Sequence, residues 1–97
     1  MTLSVFRPAA AADVEDAFLW YESQRPGLGD EFLDEISLVL NAIVENPARF
    51  PVIHRETRRA LLHRFPYSLF YRVQSEGVII VACMHGKRNP AHWQIRR

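Results

Sequence analysis

Cysteine, lysine and glycine are scarce in this 97-residue chain, which holds one Cys, one Lys and four Gly. The single cysteine, Cys83, excludes an intrachain disulfide, and its place inside an apolar run predicts burial. No stretch approaches about 18 consecutive apolar residues, so no transmembrane helix is expected. The opening MTLSVFRPAAAADVED has neither the cationic start nor the apolar centre of a signal peptide. These absences predict a cytoplasmic, reduced setting. There is no repeat, low-complexity segment or linker, which predicts one domain over residues 1–97. Hydrophobic residues make up 48% of the chain, and that argues against disorder.

Chemical motifs are missing too. No glycine-rich phosphate loop and no serine in a nucleophile elbow occur, and Cys83 is placed for burial rather than for covalent catalysis. The histidines are His54, His63, His85 and His92, with no cysteine pair and no HExxH. His85 and His92 stand seven apart across Gly86 and Pro90, a spacing unlike that of metal ligands. Neither a metal nor a cofactor is expected.

What is present is a strong division of charge. Residues 1–48 carry nine Asp/Glu against two Arg, a net of −7, and residues 49–97 carry ten Lys/Arg against two Glu, a net of +8. Two solvated faces of opposite sign, partly paired across the fold, would account for this. A basic surface meeting a nucleic acid or an acidic protein partner would account for it equally.

The pattern of apolar residues gives the elements. LSVFR (Leu3 to Arg7) alternates as a short strand. Pro8 suits the first turn of a helix, and the Ala-rich segment after it carries Asp13, Glu15 and Asp16 where the helix dipole favours anions. Val14, Ala17, Phe18 and Tyr21 mark its buried stripe, with Trp20 off the stripe and partly exposed. RPGLGD is a tight link, and either Pro26 or Asp30 could open a second helix. Leu28, Phe32, Ile36, Val39, Leu40 and Ile43 form that helix's apolar face, and Asn46-Pro47 ends it. The two helices make an antiparallel hairpin.

Strands follow. RRALLHRF (Arg58 to Phe65) and YSLFYRV (Tyr67 to Val73) flank Pro66. One alternating set, Leu61, His63, Phe65, Tyr67, Leu69, Tyr71 and Val73, is placed to face the helices. The other, Leu62, Arg64, Ser68, Phe70 and Arg72, is placed on the opposite face, with Phe70 exposed beside two cations. QSEG (Gln74 to Gly77) is a hairpin turn. Val78 to Met84 is apolar on both faces, as in the central strand of a sheet. The fold class is therefore α+β, in the order β-α-α-β-β-β, with a helical hairpin packed on one face of a small, mostly antiparallel sheet.

The last strand runs into His85, Gly86, Lys87 and Arg88. His85 is either a strand-end residue bonded to backbone or a polar anchor and proton donor. Arg64, Arg72 and Phe70 would together offer cations and an aromatic, a surface suited to RNA or to an acidic tail. Lys87, Arg88, Arg96 and Arg97 surround Trp93, which is either an exposed anchor or a lid folded back on the sheet.

RRALLHRFPYSLFYRV followed by GVIIVACMHGKRNPAHW resembles the RelE/ParE family of bacterial type II toxin–antitoxin toxins, the ParE-like branch being closer. FRPAAAADVEDAFLWYESQ, RPGLGDEFLDEI and NPARFPVIHRETRRALL fit as well, so the resemblance covers residues 4–93. It implies a growth-inhibiting toxin bound and neutralised in a hetero-oligomer by a cognate antitoxin, ParD-like and of ribbon-helix-helix type. ParE-like members block DNA gyrase and serve plasmid stabilization. RelE-like members cut ribosome-bound mRNA, and the shared fold does not choose between them. The resemblance also places HGKR where ParE-like toxins keep a similar His-Gly-basic turn, and it places the first strand beside the last.

RNA cleavage through a 2′-hydroxyl needs a base, an acid and cations for the phosphate. Arg64, Arg72, His85 and Arg88 could hold phosphate, and Glu56 and His63 are the candidate bases. Lys87 is the only lysine and no tyrosine lies beyond Tyr71, so the nuclease set is incomplete. The expectation is gyrase inhibition by binding, with no catalytic residue. Partner contacts are expected at Trp20, Phe50, Arg64, Phe70, Arg72, His85, Lys87, Arg88 and Trp93.

Overall fold

The computed structural model describes residues 3–87 and 90–96. β1 (Leu3–Phe6) leads directly into α1 (Pro8–Gln24), and a short link delivers α2 (Leu28–Glu45). Then come β2 (Val52–His54), β3 (Thr57–Leu61), β4 (Tyr67–Gln74), β5 (Gly77–His85) and the four-residue α3 (Ala91–Gln94). The strands lie in the order β1-β5-β4-β3-β2, with β1 parallel to β5 and the other pairs antiparallel. The β-α-α-β-β-β order expected from sequence holds, with β2 an additional short edge strand.

The helical hairpin closes on one carboxylate. Glu22 near the end of α1 accepts the N–H groups of Gly27 and Gly29, each at 2.9 Å. These are donors that the start of a helix leaves without intrahelical partners. Gly27 adopts φ 89°, and a Cβ on Gly29 would stand 2.7 Å from the Phe18 ring. The helix therefore opens at Leu28, between the two starts the sequence left open.

The core lies between the hairpin and the sheet. Tyr21, Phe32, Ile36, Val39 and Ile43 pack against Ala60, Leu69, Tyr71, Val78, Ile80 and Cys83. The Tyr71 ring is fully buried, and its hydroxyl donates to the carbonyl of Pro47 at 2.6 Å, which satisfies the polar tip. Burial raises its phenol pKa above the ordinary value.

Two expectations need correction. The strand drawn as Arg58 to Phe65 ends at Leu61. Glu35 on α2 accepts the N–H of Arg64 at 2.6 Å, and Tyr67 N–H turns back to the Phe65 carbonyl at 2.8 Å. The Leu62 N–H still donates to the Tyr67 carbonyl at 2.9 Å, but residues 63–66 turn out of the ladder, so the alternation does not pass through Pro66. Leu62 is buried, Leu61 is 58% exposed, and His63 and Val73 are exposed. Arg64 accordingly leaves the sheet face assigned to it.

β5 lies between β4 and β1, an interior strand as its sequence predicts. It is apolar on both faces because both are covered. Val81 is an extra residue opposite the Phe70–Tyr71 step, a bulge that rephases the strand. Val78, Ile80 and Cys83 join the helix-side core, whereas Val81, Ala82 and Met84 join a second cluster with Phe70 and Trp93. The second correction follows: Phe70 is on the predicted face but is buried.

Candidate functional site

On the sheet face away from the helices, the sequence placed an aromatic between cations. The structure covers it with the chain's own C-terminal segment. Trp93 stacks on Phe70 with centroids 4.5 Å apart and planes 21° apart, and His54 meets the indole edge-on at 5.7 Å. Arg72 donates from Nε to Thr57 Oγ1 at 3.2 Å and from Nη2 to the Arg96 carbonyl at 2.8 Å. Beside this lid lies an open bowl of about 710 Å³, lined by His54, Arg55, Glu56, Arg72, Ala91, Gln94 and Ile95. Arg55, at the β2–β3 turn, takes φ 52° and is exposed.

A smaller cavity of about 180 Å³ sits between α1 and the end of β5, and it brings Trp20 and His85 together. Asp13, Asp16, Ala17, Tyr67, Cys83 and Met84 complete its lining. Trp20 is 57% exposed. The His85 ring meets Tyr67 edge-on at 5.3 Å, and its Nδ1 accepts the N–H of Lys87 at 3.0 Å. A nitrogen that accepts a hydrogen bond carries no proton, so the other nitrogen, Nε2, holds the hydrogen of the neutral ring. Cys83 is buried at the floor, and its thiol is pushed up to about 12 by burial first and by the charge of Asp13 second.

The third feature is a groove of about 360 Å³ between α2 and the edge of β3. Leu38, Val39, Ala42, Phe50, Pro51 and Leu61 give it an apolar floor, with Arg49, Arg59 and His63 among its lining residues. Leu38 is 69% exposed and Leu61 58%. The Arg49 guanidinium lies over the Phe50 ring at 5.5 Å. Arg58 braces the wall by donating to the carbonyls of Ala48 and Phe50. Glu35, the carboxylate in this groove, is committed to the Arg64 N–H.

The predicted contact residues thus fall on separate surfaces. Phe70, Arg72 and Trp93 share the outer face, Trp20 and His85 the α1–β5 cavity, and Phe50 the α2–β3 groove. Arg64 is against α2, where its Nη2 reaches Glu31 Oε1 at 2.6 Å. Lys87 is exposed past the end of β5. Arg88 lies outside the described residues. Sequence reasoning treated Asp13 as a helix-start anion and Arg96 as part of a basic tail. In the structure they form an ion pair joining α1 to the C-terminal segment. Their 83-residue separation carries no local signal that could have found it. Leu38 and Leu61 were also missed, the first because its exposure depends on how α2 is rotated against the sheet. Among the described residues no three His, Cys, Asp or Glu side chains group to hold a metal, and no helix is long and apolar enough to cross a membrane.

A helical hairpin on one face of a five-stranded sheet, with shallow surfaces lined by aromatics and cations, defines a small α+β protein. Residues 5–90 match the family described as the ParE toxin of the type II toxin–antitoxin system, parDE, and the chain belongs to that family. Ten chains of solved structures match it. One, from a structure described as the chromosomal ParDE TA system from P. aeruginosa, is 19% identical with a TM-score of 0.77. The match covers 88% of this chain and 96% of that one, and at this identity it speaks to the fold. Comparison with curated protein sequences gave no match.

Proposed function

We propose that residues 1–97 form one toxin domain that acts in the cytoplasm, inhibits growth by binding and blocking DNA gyrase, and is neutralised by a cognate ParD-like antitoxin of ribbon-helix-helix type. Linked inheritance of the two would serve plasmid stabilization. Membership of the ParE family supports the toxin reading.

The observation that carries binding over RNA cleavage is the dispersal of the phosphate-holding set. Arg64 is tied to Glu31 on the helix side, Arg72 to Thr57 and Arg96 on the outer face, and His85 lies in the α1–β5 cavity. A transition state on one phosphate needs its donors converging on it. These residues instead suit a macromolecular contact spread over the exposed cations.

The antitoxin is assigned to the α2–β3 groove. Its apolar floor fits the hydrophobic stripe of an amphipathic segment, and Arg49 and Arg59 fit acidic residues flanking that stripe. Trp20 and Phe50 are further contacts in the proposal.

The test is purified protein in a gyrase supercoiling assay, run beside mRNA on translating ribosomes. Inhibited supercoiling with intact mRNA is the expected result. Unaffected gyrase with cut mRNA would overturn the reading in favour of a ribosome-dependent endoribonuclease.

A further inference from the structure

β1 covers only part of the edge of β5. It pairs Leu3 to Phe6 with Gly77 to Ile80, and the Arg7 N–H still donates to the Ile80 carbonyl at 2.9 Å. The chain then turns into α1 at Pro8, while β5 runs on to His85. Beyond Ile80 the strand edge has side chains where a strand would be. Asp13 Oδ2 accepts the N–H of Cys83 at 3.0 Å, and Arg96 Nη1 donates to the Val81 carbonyl at 3.2 Å. The two side chains also bind each other, Nη1 to Oδ2 at 2.5 Å and Nη2 to Oδ1 at 3.2 Å. Both are largely shielded, with side-chain exposures of 18% for Asp13 and 24% for Arg96.

We infer that Asp13 and Arg96 together replace the missing strand, guarding the Val81–Cys83 edge of β5 and latching the C-terminal segment over the outer face. One acceptor and one donor, spaced two residues apart on the edge, meet a matching donor and acceptor. The same contact holds the segment down. The Arg96 carbonyl takes the Arg72 guanidinium, and Trp93 three residues earlier lies on Phe70. An uncovered strand edge is a template for pairing with another chain. Releasing the latch would expose that edge together with the apolar patch of Phe70, Ala82 and Met84. The strand available in a purified sample belongs to a second copy of this chain. The inference rests on the fold and is independent of whether gyrase or mRNA is the target.

The polarity of the pair gives a discriminating test. In an ordinary ion pair, exchanging the partners restores the attraction. Here the double substitution Asp13→Arg with Arg96→Asp would set a donor against the Cys83 N–H and an acceptor against the Val81 carbonyl. Amide hydrogen exchange by NMR and sedimentation velocity are the readouts. Asp13→Ala is expected to raise exchange at the Cys83 amide and over residues 91–96 at least tenfold. It is also expected to produce concentration-dependent dimers, and the charge swap to behave the same way. Restoration of ordinary exchange by the swap, or a Cys83 amide still protected in Asp13→Ala, overturns the guard. Should Asp13→Ala not fold, Asp13→Asn decides, because it keeps an acceptor for the Cys83 N–H while dropping the charge. Loosened residues 91–96 with a protected Cys83 amide support the inference, and any other pattern overturns it.

Discussion

The indole of Trp93 lies flat on the ring of Phe70, with centroids 4.5 Å apart, and both side chains are buried. Their residues come from a four-residue terminal helix and the middle strand of the sheet. The stack therefore fastens the C-terminal segment by area burial, while the Asp13–Arg96 pair fastens it by charge. Replacing Trp93 by alanine removes a buried aromatic and is expected to lower stability by about 3 kcal/mol. Urea denaturation at fixed protein concentration measures it. The slope against denaturant should stay unchanged, because the helix-side core is untouched.

Glu31 and Glu35 sit on the same helix and bind the same residue, yet they differ in weight. Glu35 is buried and accepts the Arg64 N–H at 2.6 Å. Glu35→Ala orphans that donor and is expected to destabilise by about 1–3 kcal/mol. Glu31 is a partly exposed partner of Arg64 and Arg25, and hydrogen bonds from these arginines, Arg64 first, hold its carboxyl below the ordinary 4.5. A depressed carboxyl contributes stability above its unfolded pKa and loses it as pH falls through the folded one. Any difference between the parent protein and Glu31→Gln should thus be present at pH 7 and fade as the pH falls below the ordinary carboxylate range. Thermal melts across that range would show it, and solvent screening keeps it small.

Gly29 marks the closest approach of α1 and α2. A methyl group there would meet two ring atoms of Phe18 at 2.7 Å and Glu22 Oε1 at 2.8 Å. Alanine is otherwise the better helix former, so propensity alone predicts a gain. The crowding is expected to win, with a loss of about 1–3 kcal/mol, because both the ring and the capping carboxylate must move. A rise in melting temperature for Gly29→Ala would contradict this.

Cys83 offers a chemical readout of opening. With its thiol pushed up to about 12, the thiolate fraction at pH 8 is about one in ten thousand, against roughly a quarter for an ordinary cysteine. Iodoacetamide should therefore label the native protein far more slowly than the urea-unfolded chain. Equal rates would mean that β5 is open in the native state.

Local chemistry made most of the elements legible. Pro8, Asn46-Pro47 and the QSEG turn mark ends through backbone preferences that no tertiary contact overrides. The pairing of β1 with β5 came from resemblance, since strand neighbours distant in sequence leave no local mark. The alternation through Pro66 failed because Glu35, nearly thirty residues earlier, captures the Arg64 amide. Phe70 is buried for a similar reason: Trp93 is polar-flanked in sequence and apolar-facing in space. The contact residues were named one by one from composition. Their division among three surfaces depends on which helix rotation and which strand edge each inherits, and composition carries neither.

The parallel pairing of β1 with β5 also has a temporal side. Residues 3–6 gain their sheet partner only when residues 77–80 have been made, and Asp13 waits for Arg96. Contacts so far apart in sequence form late and slowly, while the chain emerges from its N-terminus at about 5–20 residues per second. The α1–α2 hairpin can assemble early, but the edge strand stays unpaired until β5 has been made. A growing copy of this chain therefore carries an open sheet edge until β5 is available to close it.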